Sequence, residues 1–157
     1  MTDNTGPAPV ARASGPFELR SEPLRVTLES IDTSREPLAA RLLRLASGQR
    51  IVLMVNTLSA DAPPGTRFYV YLNLPKTITA PTPNDPRLVG EFAYFGEVRT
   101  PDGLPPSTYR RFDITSLLRQ LHEDGQATGP VTVTIAAARA VSEGAKPTIG
   151  DITVLVQ

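Results

Sequence analysis

The chain has no cysteine, no tryptophan and a single histidine, His122, in 157 residues. Without thiols there are no disulfides, no thiolate metal sites and no cysteine nucleophile. With one imidazole, metal centres built on several histidines are out of reach of this chain alone. Charge of one sign is also missing: 16 Lys and Arg balance 16 Asp and Glu. No net field therefore steers the chain to nucleic acid or to an anionic membrane. No apolar run approaches the roughly 20 residues that span a bilayer. The first residues, MTDNTGPAPVARASGP, lack the apolar stretch of a secretory signal. A cytoplasmic location is the expectation, with residues 1–15 a disordered lead and 16–157 one domain.

What is present is proline, 16 residues of it, mostly between apolar runs. Proline is excluded from central strands and accepted in turns and edges, so this distribution suits a loop-rich β fold. The apolar share of 40% is enough for a core at this length.

Alternation supplies the strands. Leu24, Val26 and Leu28 alternate with Arg25, Thr27 and Glu29, the period of a half-buried strand. A short edge strand is expected over Pro16 to Ser21. RIVLMVNTL (Arg50 to Leu58) is short, apolar and β-branched, which predicts a central strand. In TRFYVYLNL (Thr66 to Leu74), Phe68, Val70, Leu72 and Leu74 should face the core. Tyr69 and Tyr71 then share the other face, open to solvent or to a partner. A twelve-residue proline-rich loop, Pro75 to Pro86, follows and is long enough to be more than a tight turn. Strand character resumes over Arg87 to Val98, Thr108 to Phe112, Pro130 to Ala138 and Thr148 to Val156. Gly90 and Gly96 inside a strand predict bulges or close approaches.

Two helices interrupt the strands. Ser34 as cap, Pro37 in the first turn and Leu38, Leu42 and Leu45 at helical spacing predict a short one, with Gly48 as its stop. In RRFDITSLLRQL (Arg110 to Leu121), Asp113 is placed as N-cap. Ile114, Leu117, Leu118 and Leu121 form one apolar stripe, and Gly125 is placed to end the helix. The fold class predicted is mainly β, an antiparallel sandwich or jelly-roll-like barrel with one or two short helices.

Few residues point to chemistry. His122 lies in the last turn of the second helix, where a cation meets the negative end of the dipole. Glu91, Glu97, Glu123, Asp124 and Asp151 have no spacing diagnostic of a paired-carboxylate site, and no glycine-rich phosphate loop or nucleophile elbow is present. The aromatics of EFAYFG carry more. If Phe92 and Tyr94 share one strand face, Phe95 takes the other; each is either a core residue or an interface anchor.

Five segments, in this order, resemble the C-terminal domain of the tyrosinase and polyphenol oxidase family. They are TRFYVYLNLP (Thr66 to Pro75), LVGEFAYFG (Leu88 to Gly96), FDITSLLRQL (Phe112 to Leu121), PVTVTIAAAR (Pro130 to Arg139) and PTIGDITVLV (Pro147 to Val156). The upstream strand and leucine-rich stretch, Leu24 to Ala46, make the bacterial tyrosinase-like version the nearest likeness. The resemblance implies a β-rich domain that is not itself an enzyme and carries no cofactor. Its partner would be a tyrosinase-like type-3 copper catalytic domain, in cis or in trans, which it covers, keeps latent and helps to fold. It also implies an apolar or aromatic placeholder at the substrate position. By motif position the candidates are Phe95, then Tyr94, with Phe92, Tyr69 and Tyr71 as further partner-contact residues. The chain departs from the plant pattern after Gly96, where Glu97 to Arg99 stand in place of histidines. Two other readings compete. One is an independent carbohydrate- or protein-binding module, with Tyr69, Tyr71, Tyr94 and Tyr109 as stacking rings. The other is a structural protein that oligomerises through exposed edges.

Overall fold

The computed structural model describes residues 9–31, 36–94 and 108–157. Among these residues eight strands form one antiparallel sheet: β1 (Ala11–Glu18), β2 (Leu24–Ser30), β3 (Ile51–Asn56), β4 (Phe68–Leu72), β5 (Leu88–Phe92), β6 (Tyr109–Asp113), β7 (Val131–Ala137) and β8 (Thr148–Val156). The helices are α1 (Leu38–Leu45), between β2 and β3, and α2 (Thr115–Glu123), between β6 and β7. The strand order is β5-β4-β7-β2-β1-β8-β3-β6. The sheet curls until its edges meet as a nearly closed barrel, the mainly β architecture that the sequence predicts, with both of the one or two short helices expected.

The edges β5 and β6 meet through side chains rather than a ladder. A Cβ on Gly90 of β5 would stand 2.9 Å from the Phe112 ring of β6, so only glycine lets the two strands approach there. Beyond β5, Arg110 donates to the Ala93 carbonyl at 2.9 Å. The expected close approach at Gly90 is thus present; Gly96 lies outside the described residues.

Alternation decides the interior. Ile51, Leu53 and Val55 of β3, Phe68, Val70 and Leu72 of β4, Val131, Val133 and Ile135 of β7, and Ile152 and Val154 of β8 are all buried in one core. Both helices close the barrel end at which β3 starts and β6 finishes. Leu38, Ala39 and Leu42 of α1 reach the core, as do Leu118 and Leu121 of α2. The start of α2 is docked on β3: the Ile114 N–H donates to the Ile51 carbonyl at 2.9 Å, and the Ile51 N–H donates to Thr115 Oγ1 at 2.8 Å. Asp113 stands one residue before the helix N-cap, Ile114. Its carboxylate still caps, accepting from the Thr115 N–H at 3.0 Å and the Thr115 hydroxyl at 2.7 Å. These bonds, with the Arg50 guanidinium at 2.9 Å, hold its carboxyl below the usual carboxylate range. Ser34 lies outside the described residues, and Pro37 at the N-cap of α1 makes no side-chain capping bond.

One boundary is corrected. β1 begins at Ala11, within the stretch expected to be disordered, and it is an interior strand between β2 and β8 rather than an edge. Ser-Gly-Pro reads as linker because it is a bulge. The β1–β8 register shifts between Ser14 and Phe17, and at the shift a Cβ on Gly15 would fall 2.0 Å from the Gly150 carbonyl oxygen. Glycine is required where the two backbones approach so closely.

The outer faces of the two halves of the sheet differ. On β2, β7 and β4, the loop at 73–87 lies over the strands and buries Tyr71, Leu74 and Ala136, with Tyr69, Ile78 and Leu88 packed against them. Tyr71 therefore belongs to a second, outer core and not to an open face. The loop is braced by Arg87, which donates to both oxygens of Asp85 at 2.8 and 3.0 Å. On β1, β8, β3 and β6 the outer row is mixed: Arg12 and Arg111 are exposed, Met54 is half-buried and Thr153 is buried between its neighbours.

Candidate functional site: the aromatic end of the barrel

The barrel end opposite the helices is filled by aromatic rings. Phe68 starts β4 and Phe92 ends β5, so their pairing in register places them side by side. The rings stack with centroids 5.5 Å apart and planes 26° from parallel. Tyr94, two residues beyond Phe92 on the same face, meets Phe68 edge-on at 5.8 Å and 75°. Such offset and edge-to-face pairs add to the gain from burial. The Tyr94 hydroxyl, which needs a partner once buried, donates to the Thr148 carbonyl at the start of β8, 2.8 Å away. One ring thus ties β5 to the opposite side of the barrel.

Of the rings singled out by sequence, Phe92 and Tyr94 are buried at 4% and 7% exposure, and Tyr71 is fully buried under the 73–87 loop. None of these three offers an exposed face in this state. Tyr69 is half-buried beside the same loop. Phe95 lies outside the described residues. Burial also pushes the Tyr71 phenol up, with a further contribution from the Asp85 charge. A sugar-stacking platform needs several exposed rings, and of the four tyrosines only Tyr109, at 54%, is one of the exposed large apolar residues.

Two open grooves flank the aromatic end. One, of about 360 Å³, is lined by Pro63, Pro64, Arg67, Ala93, Tyr94 and Arg139 among others. The other, of about 320 Å³, is lined by Arg67, Glu91, Phe92 and Ala93. Arg67 and Glu91 form an ion pair at 3.4 Å on this rim, both about half exposed, so their mutual stabilisation is small. The rim therefore presents proline, alanine and paired charge. Sequence reasoning passed over Pro63, Pro64 and Arg139; their only signal was a DAPPG turn and an alanine-rich strand end.

Among the described residues no reactive constellation accompanies the rings. Among the described residues no three of His, Asp and Glu lie close enough to hold a metal ion. His122 is exposed in the last turn of α2, at the other end of the barrel. Asp151 pairs loosely with Arg12 at 3.7 Å and accepts from Asn56 at 3.0 Å, and Asp124 accepts from Gln120 at 3.1 Å. These are surface and scaffold contacts. No helix among the described residues is long and apolar enough to cross a membrane.

Residues 8–157 match the family described as a domain of unknown function, DUF7868. The chain belongs to that family. No curated protein matches it. Among solved structures, a recombinant latent aurone synthase, a polyphenol oxidase, is similar at a TM-score of 0.53 and 22% identity, over 89% of this chain and 25% of that one. A latent apple tyrosinase is similar at a TM-score of 0.55 and 17% identity, over 90% of this chain and 27% of its own. The DUF7868 chain spans about a quarter of the length of these enzymes, and the matching part is their C-terminal region. At such identities the likeness is one of fold, and the fold expected from the five ordered segments is the one observed.

Proposed function

We propose that this domain covers the catalytic domain of a tyrosinase-like type-3 copper oxidase and keeps it latent. The observation that carries the reading is the coincidence of fold and order. Five sequence segments follow the C-terminal domain of that enzyme family, and the folded chain matches the C-terminal quarter of polyphenol oxidases described as latent. The role is one of surface rather than reaction: the aromatic end of the barrel, with its two grooves, is the face offered to the copper domain. The copper belongs to that partner, supplied in cis or in trans, since this chain has one histidine and it stands at the far end.

By motif position, the family resemblance implies that Phe95 is the placeholder. Phe92 and Tyr94, the other rings of FAYFG, are held in the ring cluster. The sequence likeness of Leu24 to Ala46 favours a bacterial tyrosinase-like partner.

The test is to add the purified chain to an activated tyrosinase-like enzyme from the same source. Diphenol oxidation should fall as the domain is added, and Phe95→Ala should bind while inhibiting less. An unchanged oxidation rate together with no complex on a sizing column would refute the reading.

A further inference from the structure

From the outer core under the 73–87 loop we infer a second binding site, for a small organic anion with an apolar body. This inference is independent of the shielding reading. Strand register sets Tyr71 of β4, Thr134 of β7 and Arg25 of β2 in one row across the outer face of the sheet. The loop arches over this row, and the Arg25 guanidinium donates to the Leu74 carbonyl, tying loop to sheet. Between them lies a pocket of about 210 Å³, lined by Arg25, Leu74, Lys76, Ile78, Thr79 and Thr134 among others.

Two observations say that the pocket is built for a polar guest. Thr134 is 3% exposed and lines the pocket, yet its hydroxyl has no hydrogen-bond partner among the described residues; the hydroxyl of fully buried Tyr71, its neighbour in the row, has none either. Leaving a buried hydroxyl unpaired is costly, so the Thr134 hydroxyl in the pocket wall is a standing demand for an acceptor or donor from outside the chain. The second observation is the sign of the charge. Among the described residues the charged ones lining the pocket are Arg25 and Lys76, and no carboxylate lines it. Asp85, the nearby acid that acts on Tyr71, is already neutralised by Arg87.

The walls set the rest of the ligand. Leu74, Ile78 and Pro23 present carbon to the guest, and the volume suits a single ring or a short branched chain. A carboxylate would take the Lys76 ammonium, the Thr134 hydroxyl and the Arg25 N–H groups not turned to Leu74, while its body lies against the loop.

The test uses the whole chain, isotope-labelled, with its amide resonances followed as sodium benzoate is added; benzyl alcohol and sodium chloride serve as the neutral and the simple-anion probes. Benzoate should give saturable shifts centred on Leu74, Ile78 and Thr134, and benzyl alcohol should bind at least about tenfold more weakly, as expected for loss of charged hydrogen bonds. Lys76→Gln, an exposed change that leaves the fold intact, should weaken benzoate about tenfold, and Thr134→Val should weaken it while sparing the apolar walls. Shifts that never saturate, equal affinity for benzyl alcohol, displacement by chloride alone, or indifference to both substitutions would each overturn the assignment.

Discussion

The two halves of the sheet obey the same alternation, yet two outward-pointing residues, Met54 and Tyr71, end in different surroundings. On β3, Met54 points outward and stays half-buried in a row with Arg12 and Arg111. On β4, Tyr71 points outward at a comparable mid-sheet position and is fully buried, because a proline-rich loop returns over it. A period of two fixes which residues leave the barrel. It does not fix whether they meet water. That second decision belongs to a segment remote in sequence, braced by one ion pair and by the bond from Arg25 to Leu74.

The comparison breaks most readily at the two outward residues themselves. Tyr71→Ala should cost about 3–4 kcal/mol, the range for emptying a buried aromatic site, whereas Met54→Ala should cost about 1 kcal/mol, since that side chain is only partly removed from water. Urea unfolding of both variants measures the difference; equal losses would mean that the loop does not seal the outer core.

The ion pairs come next. Asp85 and Arg87 are 10% and 18% exposed, so Asp85→Asn leaves a poorly hydrated cation and should cost about 2–3 kcal/mol. Asp151→Asn, on the open half, loosens a 3.7 Å contact at 33% and 46% exposure and should cost about 0.5 kcal/mol or less. Thermal unfolding at neutral pH ranks them.

Acid sharpens the same contrast. Hydrogen bonds from Arg87, then its charge, hold the Asp85 carboxyl below its ordinary value. A carboxyl lowered in the folded state contributes stability that is complete above its unfolded pKa of about 3.9 and is lost as pH falls through the folded value. Stability should therefore decline below about pH 4, and Asp85→Asn should flatten that decline. Asp113 is lowered too, by Thr115 first and then Arg50, but is 42% exposed. Asp113→Asn should flatten the decline less, as unfolding across a pH series would show.

Most strands were legible because their alternation is local: β2, β3, β4, β7 and β8 lie where Leu24, Ile51, Phe68, Val131 and Thr148 predict them. Both helices were legible from leucine spacing, and Gly125 follows α2 with a left-handed φ of 72°. The start of β1 was not, because Gly15 and Pro16 spell a linker unless Gly150, far along the chain, is known to cross there. The fate of Tyr71 was hidden for the same reason. Half of the candidate site was readable: Phe92 and Tyr94 stood out as a pair, but that the cluster would claim both rings depended on Phe68 in register beside Phe92. The outer pocket was invisible, since Arg25, Thr134 and Tyr71 become neighbours only across three strands.

The place of β8 has a consequence for how the domain comes into being. β8 lies between β1 and β3, pairing with both along most of its length. Of the eight strands it is the last to leave the ribosome. Until it emerges, the β3–β6 pair has no ladder to the remaining strands, and two raw edges wait for the same missing piece. A nascent chain can therefore assemble β2 with β7 and β4 with β5, yet completes its sheet only once synthesis has passed Val156, a long-range closure of the kind that makes β proteins slow to fold. Inserting this strand is the keystone step, and any helper that shields the waiting edges acts in the interval before it.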